Sequence, residues 1–254
     1  MALLDDLLAD LDTLLDAPGF PDYAPNGLQV PGRGTVATVV TGVSAGLELL
    51  ERAVALDADL VLVHHGLFWH GAPLALDRPA ARRLRLLLER EISLAAYHLP
   101  LDAHLELGNN ALLARGIGCE RWEAFGVHKG RTIGVAGTFP GDGITREELV
   151  SRVRGVCHDR EPLVFDAGPE RVRRVGIVSG AGSDHLHEAV AAGLDAFVTG
   201  EPAERAMLAA RENAITFVAA GHYATETHGV RALGDHLAAR HGVTHHFVDV
   251  WNPI

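Results

Sequence analysis

Six side chains of this 254-residue chain have the types and positions to bind metal ions. Each lies at or soon after the end of a short apolar run, and they are His64, His65, His98, Asp102, His222 and Glu226. Imidazoles and carboxylates suit borderline divalent ions such as Zn, Mn, Fe, Co or Ni. A carboxylate that bridges two such ions holds them about 3.5–4 Å apart, with a water or hydroxide between them. Because the set contains no thiolate, a closed structural zinc site is not indicated.

The apolar runs before these side chains are predicted to be buried β-strands. They cover residues 60–63, 92–97 and 215–220. In an open α/β sheet, ligands bind in the crevice beyond the carboxyl ends of the strands, which is where these runs deliver their polar residues. His222 and Glu226 are four residues apart. They share a helix face if the helix predicted through 227–240 begins near His222.

Strand and helix signals alternate along the chain, which predicts an α/β fold. Residues 52–65 also align without gaps to residues 188–201, which indicates an internal repeat. The chain is therefore predicted to form two related α/β lobes, 1–125 and 126–222, followed by a helix and strand in 223–254 that return to the metal site. Gly200-Glu201 takes the place of the histidine pair in the second copy, so Glu201 is a further candidate, for either a site or a structural role.

Composition narrows the classes of partner and compartment. The formal net charge of −11 argues against general electrostatic binding of nucleic acid. Two cysteines are too few for a disulfide framework, so Cys119 and Cys157 are expected to be reduced, structural residues. The chain begins without a basic segment followed by an apolar one, and no apolar run is long enough to span a bilayer. We therefore expect a cytoplasmic protein with no membrane partner.

Several motifs together resemble the Nif-three-like family, also known as GTP cyclohydrolase 1 type 2 homologues and as dinuclear-metal-centre hexameric proteins. The matching stretches follow the family's order and are Asn26–Val30, His64–Trp69, Tyr97–His104 with Asn109-Asn110, Thr199–Glu201 and Gly221–Glu226. The chain resembles the short bacterial form, which has no additional central domain. The fold implied by this resemblance is two interlinked α/β lobes that assemble as a toroidal homohexamer.

The resemblance also implies the roles of the site residues. Two divalent ions per chain would be held by His64, His65, Asp102, His222 and Glu226, with Glu226 as the bridge. His98 would lie beside the ions. One departure concerns the residues after Glu201, which read Pro202–Arg205 where many relatives carry a histidine. That departure puts a contribution from this loop in doubt.

The reaction implied by the resemblance is hydrolytic opening of the imidazole ring of GTP, with release of formate. His98 is our candidate for proton transfer to the ring nitrogens, and its alternative role is to orient a ligand. His104 follows the motif closely and is a candidate either to orient a ligand or for a structural role. Lys129 and Arg131, on an expected loop between the lobes, are candidates for contacts with the triphosphate.

Two other functions remain open at the level of the sequence. A bridging hydroxide would serve a metal-dependent phosphoesterase or amidohydrolase acting on another small molecule equally well. The third possibility is a ring-shaped scaffold or regulator whose metals are structural or stored.

Overall fold

The computed structural model describes residues 1–254 and has a mixed α/β fold. The chain divides into two compact units. The first contains Met1–Leu101 and Gly229–Trp251, and the second contains Asp102–His228 and Asn252–Ile254. No helix is both long enough and apolar enough to cross a membrane.

The strands are short and are numbered in chain order. They are β1 (Ala2–Leu3), β2 (Gly27–Val30), β3 (Thr35–Val36), β4 (Thr38–Ser44), β5 (Leu60–His65), β6 (Ser93–Ala96), β7 (Arg121–His128), β8 (Arg131–Thr138), β9 (Ile144–Thr145), β10 (Leu163–Asp166), β11 (Arg171–Val172), β12 (Arg174–Val178), β13 (Ala196–Thr199), β14 (Thr216–Ala219) and β15 (Thr244–Phe247).

The α-helices are numbered in the same way, and one 3-10 helix covers Gly182–His185. They are α1 (Leu4–Leu15), α2 (Leu47–Ala55), α3 (Arg78–Glu89), α4 (Leu99–Ala103), α5 (Asn109–Gly116), α6 (Arg146–Val156), α7 (Leu186–Ala191), α8 (Glu204–Glu212), α9 (His222–Thr225) and α10 (Thr227–His241).

The first unit is built on a five-stranded sheet with the order β15-β4-β5-β6-β2. Strands β15, β4, β5 and β6 are parallel, and β2 pairs antiparallel with β6 at the edge. Strand β5 is central, and Leu60–Val63 are fully buried, as their uninterrupted apolar sequence predicts. The histidine pair forms the last two residues of this strand rather than following it.

Helix α1 is rich in leucine. Its stripe of Leu4, Leu7, Leu11 and Leu15 is buried within the chain, so this stripe serves core packing. Asp10, on another face, accepts hydrogen bonds from His236 at 3.0 Å and His241 at 2.8 Å. These contacts join α1 to the end of α10 and place the C-terminal helix in the first unit.

The second unit contains a six-stranded sheet with the order β10-β14-β13-β12-β8-β7. Strands β12, β13 and β14 are parallel, whereas β8 and β10 run antiparallel to their neighbours. Both units contain a helix that joins two parallel neighbours: α2 lies between β4 and β5, and α7 lies between β12 and β13. These are the segments that the internal repeat aligns.

The division between the units lies at Leu101, whereas the sequence predicts a boundary at residue 125. Helix α5 explains the difference, because its Leu113 and the following Ile117 belong to the core formed by β8, β12 and β13. Residues 223–254 are also divided, since those before Gly229 belong to the second unit and Gly229–Trp251 to the first.

Strand β7 has no counterpart in the sequence-based prediction. Its exposed residues include Arg121 and Glu123, and it forms one edge of the sheet, so it lacks an apolar run. It pairs with β8 as a hairpin. Lys129 lies in the turn of this hairpin, and Arg131 is the first residue of β8. Both belong to the second unit, so the expectation that they lie on a loop between the lobes is wrong.

Candidate metal centre

The histidine cluster, in the first unit, consists of His64, His65 and His98. Their potential ligand atoms lie within 4.8 Å of one another. Strands β5 and β6 run parallel with Val63 opposite Ala96, so the residues that end or follow these strands come side by side. The fold therefore brings together three of the predicted site residues from two neighbouring strand ends.

Hydrogen bonds fix the orientation of the two imidazoles on β5. His64 is fully buried, and its Nδ1 lies 3.0 Å from the carbonyl oxygen of Tyr97. Since a carbonyl oxygen only accepts, Nδ1 donates the hydrogen bond and Nε2 holds the lone pair that a metal ion needs. His65 Nδ1 lies 3.0 Å from Ser44 Oγ, and this contact orients the second ring. A hydroxyl both donates and accepts, so this contact does not select which ring nitrogen carries the proton.

His98 is held by a carboxylate. Its Nδ1 lies 2.7 Å from Asp22 Oδ1, and its backbone N–H donates to Asn26 Oδ1. Asp22 also accepts hydrogen bonds from the Asn26 side chain and the Leu99 backbone, each at 2.9 Å. Burial acts to raise the pKa of Asp22, but His98 and these donors outweigh it and lower the pKa to about 2. Asp22 is thus a fixed anion that positions the His98 ring.

The carboxylate cluster, in the second unit, consists of Asp102, His222 and Glu226. Asp102 is 6% exposed and Glu226 is 2% exposed, and their nearest candidate ligand oxygens lie within 4.8 Å of each other. Asp102 Oδ1 accepts hydrogen bonds from Asn109 Nδ2 at 2.8 Å and from Ser179 Oγ at 3.1 Å. Two buried carboxylates this close repel each other unless a cation or a proton lies with them.

His222 lies between two carboxylates of the second unit. Its Nε2 is 3.1 Å from Glu226 Oε2, and its Nδ1 is 2.5 Å from Glu201 Oε1. Burial acts to lower the pKa of His222, but Glu226 and Glu201 outweigh it and raise the pKa to about 9. The two carboxylates therefore attract positive charge to this position, and a metal ion bound at Nε2 would take the place of the imidazole's proton.

Helix α9 ends at Thr225 and α10 begins at Thr227, so Glu226 lies between the two helices. The sequence-based condition that the helix through 227–240 begins near His222 is not met, because His222 begins the separate helix α9. His222 nevertheless contacts Glu226 across the four-residue spacing. Gly180 makes room for this carboxylate. It has a φ of +60°, and a Cβ there would lie 2.2 Å from Glu226 Oε1. A side chain at this position would displace the carboxylate.

The hydrogen-bond partners around both clusters are the part that the sequence-based prediction missed. Asp22, Ser44 and Ser179 carry no periodic or spacing signal, because each is a single polar residue in or beside a loop. Glu201 is the exception, since the internal repeat singled it out, and the structure places it against His222. His104 accepts hydrogen bonds from the backbone N–H groups of Glu106 and Leu107, which holds the turn that follows α4.

Both cysteines are free and buried, as predicted for structural residues. Burial raises the pKa of the Cys119 thiol and of the Cys157 thiol to about 12, so neither is a thiolate at neutral pH. They belong to the hydrophobic core of the second unit. The candidate ligands are therefore nitrogen and oxygen atoms, which fits a borderline divalent ion.

A model of the Duf34/NIF3 (NGG1p interacting factor 3) family matches residues 2–253. The chain belongs to the Duf34/NIF3 family. A relative from Pseudomonas aeruginosa named GTP cyclohydrolase 1 type 2 homolog is 45% identical over 250 residues, which cover 98% of each chain. The resemblance identified from the motifs is thereby confirmed.

Solved structures share the fold of this Duf34/NIF3 chain. One, described as protein ybgI of unknown function, has a TM-score of 0.93 and 40% identity, and the match covers 99% of this chain and 100% of the other. TTHA1606 from Thermus thermophilus has a TM-score of 0.88 and 38% identity, with the same coverage. The mixed α/β fold is therefore that of the family.

The lowered pKa of Asp22 predicts how stability depends on pH. Its folded pKa of about 2 lies below the value of about 3.9 in an unfolded chain. The stabilisation is therefore present above about pH 4 and is lost as the pH falls towards about 2. Asp22→Asn should lower the free energy of unfolding at pH 7 by about 2 kcal/mol, on the scale of about 1.4 kcal/mol per pKa unit. The variant's free energy of unfolding should also fall less steeply than that of the wild type between about pH 4 and pH 2.

Urea unfolding of wild type and variant between pH 7 and pH 2 measures this difference. Asp57→Asn is the matched control, because Asp57 is an exposed carboxylate of the same unit outside these contacts. An Asp22→Asn variant as stable as the control at pH 7 would contradict the proposed anchoring of His98.

Proposed function

We propose that the histidine and carboxylate clusters together form one dinuclear metal centre, and that the protein is a metal-dependent hydrolase. His64, His65, Asp102, His222 and Glu226 are its ligands, with Glu226 as the bridge. The main support is that hydrogen bonds to Nδ1 orient the rings of His64 and His65, so Nε2 is the atom that each ring would offer to an ion. The buried carboxylates of Asp102 and Glu226 supply the negative charge.

The donor set indicates the class of ion. Nitrogen and oxygen ligands without thiolate suit Zn, Mn, Fe, Co or Ni. Neither cluster alone offers the ligands for two ions, because the histidine cluster lacks a carboxylate and the carboxylate cluster has one imidazole. We therefore propose that one pair of ions takes its ligands from both clusters.

The reaction that we propose is hydrolytic opening of the imidazole ring of GTP, in keeping with the name of the P. aeruginosa relative. Bound divalent ions would supply a nucleophilic hydroxide near neutral pH. His98 transfers protons to the ring nitrogens as the C–N bonds break. Its Nδ1 is anchored on Asp22, so Nε2 is the atom that exchanges the proton with the substrate.

Metal content tests the proposed centre. Protein purified without chelator and offered Zn or Mn should bind about two ions per chain, as a carboxylate-bridged pair requires. His65→Ala and Glu226→Ala should each lose most of this metal, and elemental analysis measures it. His70→Ala is the control, because His70 is an exposed histidine in the segment that follows β5. Wild-type protein that stays empty would overturn the proposed site.

Formate release from GTP tests the reaction. Metal-loaded wild type should release formate, and Asp102→Ala should not, because it lacks a ligand. His98→Ala should keep its metal and lose at least about a hundredfold in rate, the usual contribution of a general acid–base group. If wild type with bound ions hydrolyses another phosphorylated or amide substrate but releases no formate, the GTP assignment fails and a phosphoesterase or amidohydrolase takes its place. Bound ions without any hydrolysis would favour a scaffold.

The proposed assembly is a toroidal homohexamer, on the basis of family membership. A ring of identical subunits is a closed symmetric assembly, in which neighbouring subunits bind each other through the same repeated interface. Light scattering coupled to gel filtration should give about six times the 27.1 kDa chain mass. A stable monomer at micromolar concentration would contradict this proposal.

A further inference from the structure

An arginine-lined pocket lies between helices α2 and α3 of the first unit. Its volume is about 480 Å³, and Arg78, Arg82 and Arg83 of helix α3 line it together with Leu47 of helix α2. Three arginines thus line one pocket of a chain whose formal net charge is −11. Both helices belong to the first unit.

The charges in this pocket are only partly neutralised. Arg82 pairs with Glu51 at 3.0 Å, and Glu48 pairs with Arg52, outside the pocket, at 3.8 Å. The Asp77 carboxylate accepts from the Ala80 N–H as the cap of α3. Arg78 and Arg83 therefore face the pocket without a carboxylate partner.

Arg83 shows the clearest need for a ligand. Its Nη1 donates to the carbonyl oxygen of Ala45 at 3.4 Å, but its Nε is buried without a hydrogen-bond partner. Because this Nε is buried, a ligand could accept its hydrogen bond only after the side chain shifts, and that bond would recover the free energy that an unpaired buried donor costs. Guanidinium groups bind phosphate oxygens through paired hydrogen bonds, which makes phosphate the acceptor that suits three neighbouring arginines best.

Helix α2 adds to the same preference. Its N-cap is Gly46, which has no side chain to accept hydrogen bonds from the first turn, and Leu47 lines the pocket. The N–H groups at the start of the helix and its dipole favour an anion there. The arginines and this helix end therefore select the same kind of ligand.

Ala45 connects the pocket to the histidine cluster through two hydrogen bonds. Arg83 contacts the Ala45 carbonyl, while the Ala45 N–H donates to the His65 carbonyl oxygen at 2.9 Å. The neighbouring Ser44 contacts the His65 ring. These contacts connect Arg83, which lines the pocket, to the backbone of His65.

We propose that this pocket binds the phosphate group of the substrate on which the histidine cluster acts. The assignment to the substrate rests on the proposed function, whereas the binding of phosphate does not. Arg78 and Arg83 contact the phosphate oxygens, and the start of α2 provides backbone donors.

Titration of metal-free protein with inorganic phosphate tests the pocket itself. After removal of bound ions with a chelator, calorimetry in low-salt buffer should show one phosphate site per chain. Arg83→Gln and Arg78→Gln should each weaken binding at least about tenfold, because each removes a charged donor. Arg85→Gln, an exposed arginine of the same helix outside the pocket, should bind as wild type does. Absence of saturable binding, or equal affinity in all three variants, would overturn the proposal.

Kinetics of the metal-loaded enzyme test the link to the substrate. Arg83→Gln should raise KM for GTP at least about tenfold with metal content unchanged and kcat within about twofold, since the pocket binds rather than reacts. An unchanged KM would overturn the assignment to the substrate. Absence of wild-type activity would count against the proposed function instead, and the phosphate titration alone would then decide whether the pocket binds anions.

Discussion

The hydrogen bond from His64 Nδ1 to the carbonyl oxygen of Tyr97 determines which nitrogen of this buried imidazole can bind an ion. Nδ1 is also engaged at His65, by Ser44, and at His98, by Asp22. An imidazole whose Nδ1 is already engaged cannot rotate without losing that bond, so its Nε2 keeps one direction. The proposed chemistry of the first unit depends on this restraint.

The fold supplies the restraint through parallel strands. His64 and His65 end β5, while Tyr97 and His98 follow β6, and the register of these neighbours places the backbone carbonyl of one strand end against the imidazole of the other. In the second unit, Ser179 follows β12 and Glu201 follows β13 closely, and these residues hold Asp102 and His222 respectively. Gly180 permits the close approach of Glu226, because any Cβ there would collide with its carboxylate.

The sequence predicted the elements that bear the candidate ligands, because buried strands and an i,i+4 pair leave strong patterns. The run Leu60–Val63 and the spacing of His222 and Glu226 are examples of such patterns. The family was also recognisable, since its motifs are spread over the whole chain. The sequence did not reveal Asp22 as the partner of His98, because the contact joins residues 76 positions apart and Asp22 lies in a segment rich in proline and glycine.

Edge strand β7 and the assignment of residues 102–125 to the second unit also escaped prediction. The outer face of β7 is polar, and the placement of α5 depends on long-range packing of Leu113 and Ile117 rather than on local pattern. The arginine pocket could not be predicted from the sequence either. Its arginines are visible in the sequence of α3, but their convergence on the start of α2 depends on how the two helices pack.

The central claim is that one bridged pair of ions is bound by both clusters. X-ray absorption spectroscopy of protein loaded with Zn or Mn measures it most directly, because scattering from a second metal gives the distance between the ions. The account predicts a metal–metal distance of about 3.5–4 Å, nitrogen and oxygen ligands only, and loss of the metal–metal signal in Glu226→Ala. A single ion with no metal neighbour, or a pair that persists unchanged without Glu226, would contradict it.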